Sequence, residues 1–150
     1  MGTKYAGTTE ERRALDTYIK LHRAAQSSMK RTSDHLDRCN LTISQFAVLE
    51  ALYHLGTLSQ RDLAAKLLTS TGNMTTVLKN LEREELVQRV RDSLDNRFMR
   101  VDITAKGRQL IEQILPEHVY GIVEEMSVLT AAEQEELARL TRKLGLQERK

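Results

Sequence analysis

The chain has 150 residues, of which 40% are hydrophobic and 29% charged, and its basic and acidic side chains leave a formal net charge of +2. This composition is typical of one globular domain and excludes a disordered chain. No apolar run approaches the roughly 18 residues of a membrane helix, and the first residues lack the apolar stretch of a secretory signal, so we expect a cytoplasmic protein that does not bind membranes. The single cysteine, Cys39, excludes an internal disulfide and a cysteine-based structural zinc site.

The first element is predicted to be one long amphipathic helix over residues 9–38. Acidic residues occupy its first turn, where they complement the helix dipole. Its apolar stripe keeps helical spacing through Leu15, Tyr18, Ile19, His22, Ala25, Met29 and Leu36.

A second helix is predicted to begin at Thr42. Thr42 and Gln45 have the spacing of a capping box, and Leu41 and Phe46 occupy the two positions of a hydrophobic staple. We expect this helix to end at Gly56, a residue type that favours helix C-termini. The side chains expected to point inward are Phe46, Leu49, Leu52 and Leu55.

Two short helices then form a helix-turn-helix pattern. The first is capped by Ser59 and runs to about Leu68, and the second follows after about three polar residues. The inner side of the second carries Met74, Val77, Leu78 and Leu81. Its outer side is rich in short donors and acceptors, which suit phosphates and base edges in a major groove. The predicted DNA contacts on this side are Ser70, Thr71, Asn73, Thr75, Thr76, Lys79 and Arg83, to which Ser59 and Gln60 of the preceding helix are added.

A β-hairpin is predicted next, because the hydrophobic period changes from 3.6 to 2. Residues 98–103 alternate as a strand, residues 86–91 are rich enough in β-branched side chains to pair with it, and the turn-rich segment 92–96 connects them. A hairpin with cationic side chains suits a narrow, electronegative minor groove. Its positive charge comes from Arg89, Arg91, Arg97 and Arg100.

Two further helices complete the chain. Thr104 caps a long helix in which Pro116 predicts a bend near residues 112–116, without ending the helix. Thr130 and Glu133 form the capping box of the last helix, which ends before Gly145. Its predicted inner residues are Leu137, Leu140 and Leu144.

No catalytic or metal-binding pattern emerges from the sequence. The Ser-x-x-Lys match at Ser27 lies inside a predicted helix and lacks the companion motifs of the enzymes that use it. The four histidines show no ligand pairing at i, i+4, and no cysteine cluster accompanies them. We therefore expect no enzymatic activity, no cofactor and no metal.

The chain resembles the MarR family of bacterial winged-helix regulators over about residues 9–145. The resemblance rests on the order of five segments: residues 41–49, 58–64, 75–82, 95–97 and 103–107. It implies a mainly α fold with a small β-hairpin wing, in which residues 9–38 and 105–145 form dimerisation helices around a winged helix-turn-helix over 41–104. It also implies a homodimer on a pseudo-palindromic operator, with Asp95 bracing Arg97 as Arg97 enters the minor groove. The wing departs from the usual Asp-Arg-Arg at Asn96, and residues 46–56 with 114–118 are similar to the quinone- and catechol-responsive branch.

Two mechanisms of signalling stay open. Cys39 lies beside Arg38 and close to the helix start at Thr42, which makes it a candidate electrophile sensor, whereas an inert, half-buried cysteine is the more common case. The alternative is a pocket for a small phenolic or aromatic ligand, whose binding would release a repressor from DNA. The polar residues predicted for that pocket are Tyr18, His22, Tyr53 and His118. A different class of function, a winged-helix module that binds proteins without reading DNA, would not need arginines around the hairpin tip.

Overall fold

The computed structural model describes residues 4–147, which divide into two compact units. The terminal unit comprises residues 4–34 and 119–147, and the central unit comprises residues 35–118. Described secondary structure is mainly helical, with one three-stranded antiparallel sheet. The mainly α fold with a small β wing predicted from the sequence is confirmed.

The terminal unit contains two helices, α1 (Thr9–Ser33) and α6 (Ala131–Gly145), and the second part of a third, α5 (Ala105–Met126). The cap of α1 is Thr8, which forms a capping box with Glu11. Arg31 of α1 donates from Nε to Glu125 at 2.8 Å. Neither α1 nor α6 contains a buried residue, although both are amphipathic. These helices therefore leave their apolar sides uncovered within one chain.

A 3₁₀-helix, Asp34–Cys39, follows α1 where the sequence predicted a continuation of the first α-helix, and its residues from His35 onward belong to the central unit. Its Leu36 is 2% exposed and belongs to the hydrophobic core of this unit. The predicted apolar stripe of the first helix therefore ends before Leu36. Asn40 follows with a φ of 53°, a left-handed conformation that breaks the helical path before the next element begins.

Helix α2 (Ile43–Leu55) begins and ends as the sequence predicts. Thr42 accepts from the Gln45 N–H at 3.1 Å while Gln45 accepts from the Thr42 N–H at 2.9 Å, which completes the capping box. Gly56 ends the helix with a φ of 78° and donates its N–H to Leu52. The prediction that Leu55 points inward is wrong, since its side chain is 56% exposed after the last turn.

The helix-turn-helix consists of α3 (Gln60–Lys66) and α4 (Thr71–Arg83). Helix α3 ends earlier than predicted because Leu68 adopts a φ of 50° and is 94% exposed. The predicted inner residues of α4 are confirmed as core residues, and they pack with leucines from α2 and α3. The four are Met74, Val77, Leu78 and Leu81.

The sheet has strand order β1-β3-β2 and contains one strand that the sequence did not predict. Strands β2 (Val87–Arg91) and β3 (Met99–Ile103) form the predicted hairpin, with Val87 opposite Ile103. Strand β1 (Leu58–Ser59) pairs with β3 through Leu58 and Val101. The hairpin is thereby fixed to the residues that immediately precede α3. At the other end of β3, Thr104 caps α5, where its hydroxyl accepts from the Gly107 N–H at 3.0 Å.

Candidate DNA-binding surface

Helix α4 is anchored by its buried side and by its N-cap. Ser70 accepts from the Asn73 N–H at 3.1 Å and so satisfies one of the free N–H groups of the first turn. The remaining predicted contact residues of this helix are all exposed: Thr71, Asn73, Thr75, Thr76, Lys79 and Arg83. The structure thus presents the predicted set on the side of α4 opposite the core.

Two predicted contact residues on α3 are engaged within the protein. Ser59 is the N-cap of α3 and accepts from the Asp62 N–H at 3.0 Å. Gln60 donates from Nε2 to the Thr75 hydroxyl at 2.6 Å. Gln60 therefore connects the start of α3 to the exposed side of α4, and its amide orients Thr75.

Arg89 of β2 extends this connection to the sheet. Its Nε lies 2.9 Å from a Glu82 carboxylate oxygen on α4, and its Nη1 donates to Gln60 at 3.4 Å. One guanidinium therefore links β2, α3 and the C-terminal part of α4. The positive charge predicted for the hairpin at Arg89 is therefore paired with a carboxylate of α4.

The tip of the wing, the loop of residues 92–98 between β2 and β3, is organised around the pair predicted there. Asp95 accepts from the backbone N–H of Arg97 at 3.0 Å and from two nitrogens of its guanidinium, with Nη2 at 2.8 Å. These bonds from the side chain and then the backbone of Arg97 hold the pKa of Asp95 below its usual value. The Arg97 side chain is nevertheless 85% exposed. The bracing contact is present, and Arg97 is displayed at the surface.

The base of the wing is fixed by Asp92. Its carboxylate accepts from the backbone N–H groups of Leu94 at 2.8 Å and Asp95 at 3.2 Å, and these bonds, followed by that from Arg100, lower its pKa. Arg100 donates to Asp92 at 3.2 Å and to the Thr57 carbonyl at 2.7 Å. Arg100 therefore holds the wing against the segment before β1, and its charge is paired with Asp92.

Cys39 ends the 3₁₀-helix as a half-buried free thiol. It lines a cavity of about 480 Å³ within the central unit. Arg83, a predicted DNA contact at the C-terminal end of α4, lines the same cavity. Its Nε lies 3.6 Å from the carboxylate of Glu84. Lys106, another lining residue, donates to the Glu84 carbonyl at 2.8 Å.

The four residues predicted for a ligand pocket fall into the two units. In the terminal unit, the rings of Tyr18 and His22 stack with centroids 6.2 Å apart. In the central unit, the Arg108 guanidinium lies 5.3 Å from the Tyr53 ring centroid. His118 lies 4.5 Å from Phe46 and 5.1 Å from His35 between ring centroids.

Neither a metal-binding cluster nor a membrane-spanning helix is found among the described residues. Among residues 4–147, no group of three or more His, Cys, Asp or Glu side chains is arranged to hold a metal ion. The same part of the chain contains no helix that is long and apolar enough to cross a membrane.

Sequence reasoning named Arg89 and Arg100 among the cations of the hairpin but missed the contacts by which they hold the wing in place. Asp92 and Arg100 fix the wing, and Arg89 joins it to the helices. Only Asp92 carried a local signal, since an aspartate that begins a turn-rich connector accepts from N–H groups two and three residues later. The partners of the arginines are distant in sequence and could not be found from spacing.

Comparisons with known proteins agree with this architecture. The model of the MarR family matches residues 41–98, which span the helix-turn-helix and most of the wing. The chain is 34% identical to the HTH-type transcriptional regulator MhqR of Bacillus subtilis (strain 168), over 89% of this chain and 92% of that protein.

Two solved structures share the fold over most of their length. BpsR of Bordetella bronchiseptica, whose DNA binding is regulated by 6-hydroxynicotinic acid, has a TM-score of 0.77 at 26% identity and covers 86% of this chain and 98% of its own. A MarR variant from E. coli in complex with operator DNA has a TM-score of 0.74 at 25% identity, with 84% and 91% covered. With its helix-turn-helix, its wing and a relative matched over nearly its whole length, the chain belongs to the MarR family of transcriptional regulators.

Proposed function

We propose that this regulator binds a pseudo-palindromic operator in double-stranded DNA as a homodimer and represses transcription. The observation that carries the proposal is the braced wing tip, where Asp95 orients an exposed Arg97 in the same unit as the polar side of α4. A helix of this kind suits the major groove, and an arginine fork suits a narrow minor groove. The operator complex of the E. coli MarR variant supports the same use of this fold.

The proposal also covers activity and location. We infer that the chain acts by binding and catalyses no reaction, because its family consists of transcriptional regulators. A DNA-binding regulator acts in the compartment that holds the chromosome, which supports the cytoplasmic location expected from the sequence.

The DNA proposal is tested by selecting bound fragments from a random duplex pool and measuring their affinity at fixed salt. Arg97→Ala is expected to weaken operator binding about tenfold, because a good base contact contributes on the order of 1–3 kcal/mol. Arg12→Ala removes the same charge from an exposed position on α1 and is the matched control. Equal affinities of wild type and Arg97→Ala would refute the role of the wing. Failure to select any sequence would favour a protein-binding winged helix.

We further propose that a small hydroxylated aromatic acid or phenol is the effector that releases the protein from DNA. Regulation of BpsR by 6-hydroxynicotinic acid supports this chemical class. In the central unit, Arg108 places a cation over the Tyr53 ring, which suits an aromatic carboxylate. Of the other predicted contacts, His118 lies in the same unit, whereas Tyr18 and His22 lie in the terminal unit.

The effector is tested by measuring operator affinity with and without 6-hydroxynicotinic acid, catechol and benzoquinone. We expect at least one of the hydroxylated compounds to lower affinity about tenfold or more, and Cys39→Ser to keep most of that response. A response that disappears in Cys39→Ser, while its DNA binding without compound is normal, would assign the signal to thiol chemistry instead. Exclusive response to the quinone, or to catechol, would place the protein in the quinone- and catechol-responsive branch.

A further inference from the structure

Two threonine hydroxyls on the exposed side of α4, those of Thr75 and Thr76, donate to backbone carbonyls of the same helix. Thr75 Oγ1 donates its hydrogen to the Thr71 carbonyl at 2.9 Å and accepts from Gln60 at 2.6 Å. Thr76 Oγ1 donates to the Gly72 carbonyl at 3.4 Å. A hydroxyl carries a single hydrogen, so neither group can donate to a base without breaking its bond within the helix. What these side chains offer to DNA is a methyl group and an acceptor lone pair.

Asn73 keeps a different set of groups. Its Nδ2 donates one hydrogen to the Thr69 hydroxyl at 2.7 Å, which fixes the amide in place. A primary amide has two N–H donors and one carbonyl acceptor, so one donor and the acceptor remain. An N–H and a carbonyl side by side match N7 and N6 of adenine in the major groove.

These remaining groups discriminate between base pairs. Guanine presents only acceptors in the major groove, and Thr75 and Thr76 have no free hydrogen to donate to them. Cytosine, the other base of that pair, offers one donor to a hydroxyl lone pair but no methyl group. Thymine presents a methyl group, for which a threonine methyl is a suitable apolar contact. Lys79 keeps its ammonium donors, and the hydroxyls of Ser70 and Thr71 are not bound in this way. The selectivity therefore concerns only Asn73, Thr75 and Thr76.

We infer that Asn73, Thr75 and Thr76 of α4 select A·T base pairs, with Asn73 on adenine and the methyl of Thr75 or Thr76 on thymine. The inference rests on the proposed function, since it assumes that α4 enters the major groove. Gln60 acts as a positioning residue in this arrangement, because its bond occupies the Thr75 hydroxyl.

The test begins with the operator selected from random DNA and replaces each thymidine by deoxyuridine, in both half-sites at once. This change removes only the methyl group. We expect about a fourfold loss of affinity per half-site at one or two positions, the value of one buried methyl group, and no change outside the half-sites. Replacing the contacted adenine by 7-deazaadenine should likewise weaken wild type but not Asn73→Ala.

Thr76 allows methyl and hydroxyl to be separated. Thr76→Val keeps the methyl and is expected to bind within about twofold of wild type, whereas Thr76→Ser keeps the hydroxyl and is expected to lose about fourfold per half-site on thymidine DNA. Thermal unfolding of both variants verifies that they fold. If Thr76→Val loses as much as Thr76→Ser, the hydroxyl reads the base and the inference is overturned.

The outcomes separate this inference from the proposed function. Specific binding to half-sites with G·C pairs at the positions that Asn73, Thr75 and Thr76 contact, or insensitivity to every deoxyuridine, contradicts the inference alone. If no sequence is bound in preference to random DNA, the inference and the proposed function fail together.

Discussion

Single side chains in this protein decide whether a charge is available to a partner. The sequence predicts the same role, positive charge on the hairpin, for Arg89, Arg97 and Arg100. In the structure, however, Arg100 donates to the Thr57 carbonyl and Arg89 pairs with Glu82. Arg97 is held by one carboxylate and stays exposed. Its orientation thus depends on the ionisation of Asp95.

The pKa of Asp95 fixes the range over which that orientation persists. Because Arg97 lowers the pKa in the folded protein, the carboxylate remains ionised throughout the neutral range. The contribution of the pair is fully present above the ordinary aspartate pKa of about 4 and is lost only as the pH falls through the lowered folded value. The bracing of Arg97 is therefore insensitive to pH at physiological values.

Gly107 is required for a close approach between the start of α5 and the sheet. A Cβ added there would overlap the Leu86 carbonyl and lie 2.9 Å from Cγ1 of Ile103. The Leu86 carbonyl accepts the Thr104 N–H at 3.1 Å and cannot move without losing that bond. We expect Gly107→Ala to lower the free energy of unfolding by about 2 kcal/mol, as measured by urea denaturation.

The control for this prediction is Gly145→Ala on α6, where an added Cβ meets nothing within 4 Å. We expect its effect on the unfolding free energy to stay within about 0.5 kcal/mol. A Gly107→Ala protein as stable as wild type would mean that the α5 start relaxes away from Leu86 at no cost.

At the scale of elements, a glycine lowers the stability of α4 as a helix and leaves space beside its backbone. Gly72 lies in its first turn, and a Cβ added there meets nothing within 4 Å of protein. Alanine is favoured over glycine in helices by up to about 1 kcal/mol, so the protein alone gains from Gly72→Ala. A glycine on the exposed side of α4 lets a DNA backbone or base edge approach the helix closely.

We therefore expect Gly72→Ala to leave the free energy of unfolding unchanged or to raise it, while operator affinity falls by about tenfold. Urea denaturation and operator titration on the same preparation separate the two effects. Because stability and affinity are expected to change in opposite directions, a loss of fold cannot imitate the result. Unchanged operator affinity would place Gly72 away from the DNA.

The elements that the sequence predicted well are those whose start or end is determined by residues a few positions apart in the chain. The capping boxes of α2 and α6 join residues three apart, and both are present as expected. Strand β1 has only two residues and forms because Leu58 pairs with Val101, which is distant in sequence. No local sequence pattern could therefore predict it. The exposed set on α4 followed from helical spacing, whereas the link from Gln60 to Thr75 depends on how two helices pack.

At the scale of the whole molecule, burial is distributed unevenly. All the buried hydrophobic residues among 4–147 lie in the central unit, from Leu36 to Ile114. That unit therefore has its own core. In the terminal unit, by contrast, the predicted burial of the α6 leucines is not achieved within one chain, since Leu137, Leu140 and Leu144 are 41%, 47% and 53% exposed.

These leucines border an apolar groove in the terminal unit. Its volume is about 400 Å³, and residues of α1, including Leu21 and Ala24, line its other side. Exposed apolar surface of this extent on paired helices is typical of a protein–protein interface. We propose that a second copy of the terminal unit covers it, which agrees with the two-fold symmetry of a pseudo-palindromic operator.

Leu140→Asp tests this assembly, because it places an unpaired carboxylate where the partner chain would exclude water. We expect wild type to sediment as a dimer at micromolar concentration and the variant to dissociate at least about a hundredfold more readily, with a matching loss of operator affinity. Arg139→Gln changes a charge on the same helix, at an exposed pair with Glu136, and should remain dimeric. The independent core of the central unit should keep the Leu140→Asp variant folded, which circular dichroism verifies. A wild-type species near the monomer mass of 17.2 kDa would rule out the dimer, and a dimeric Leu140→Asp would place the interface elsewhere.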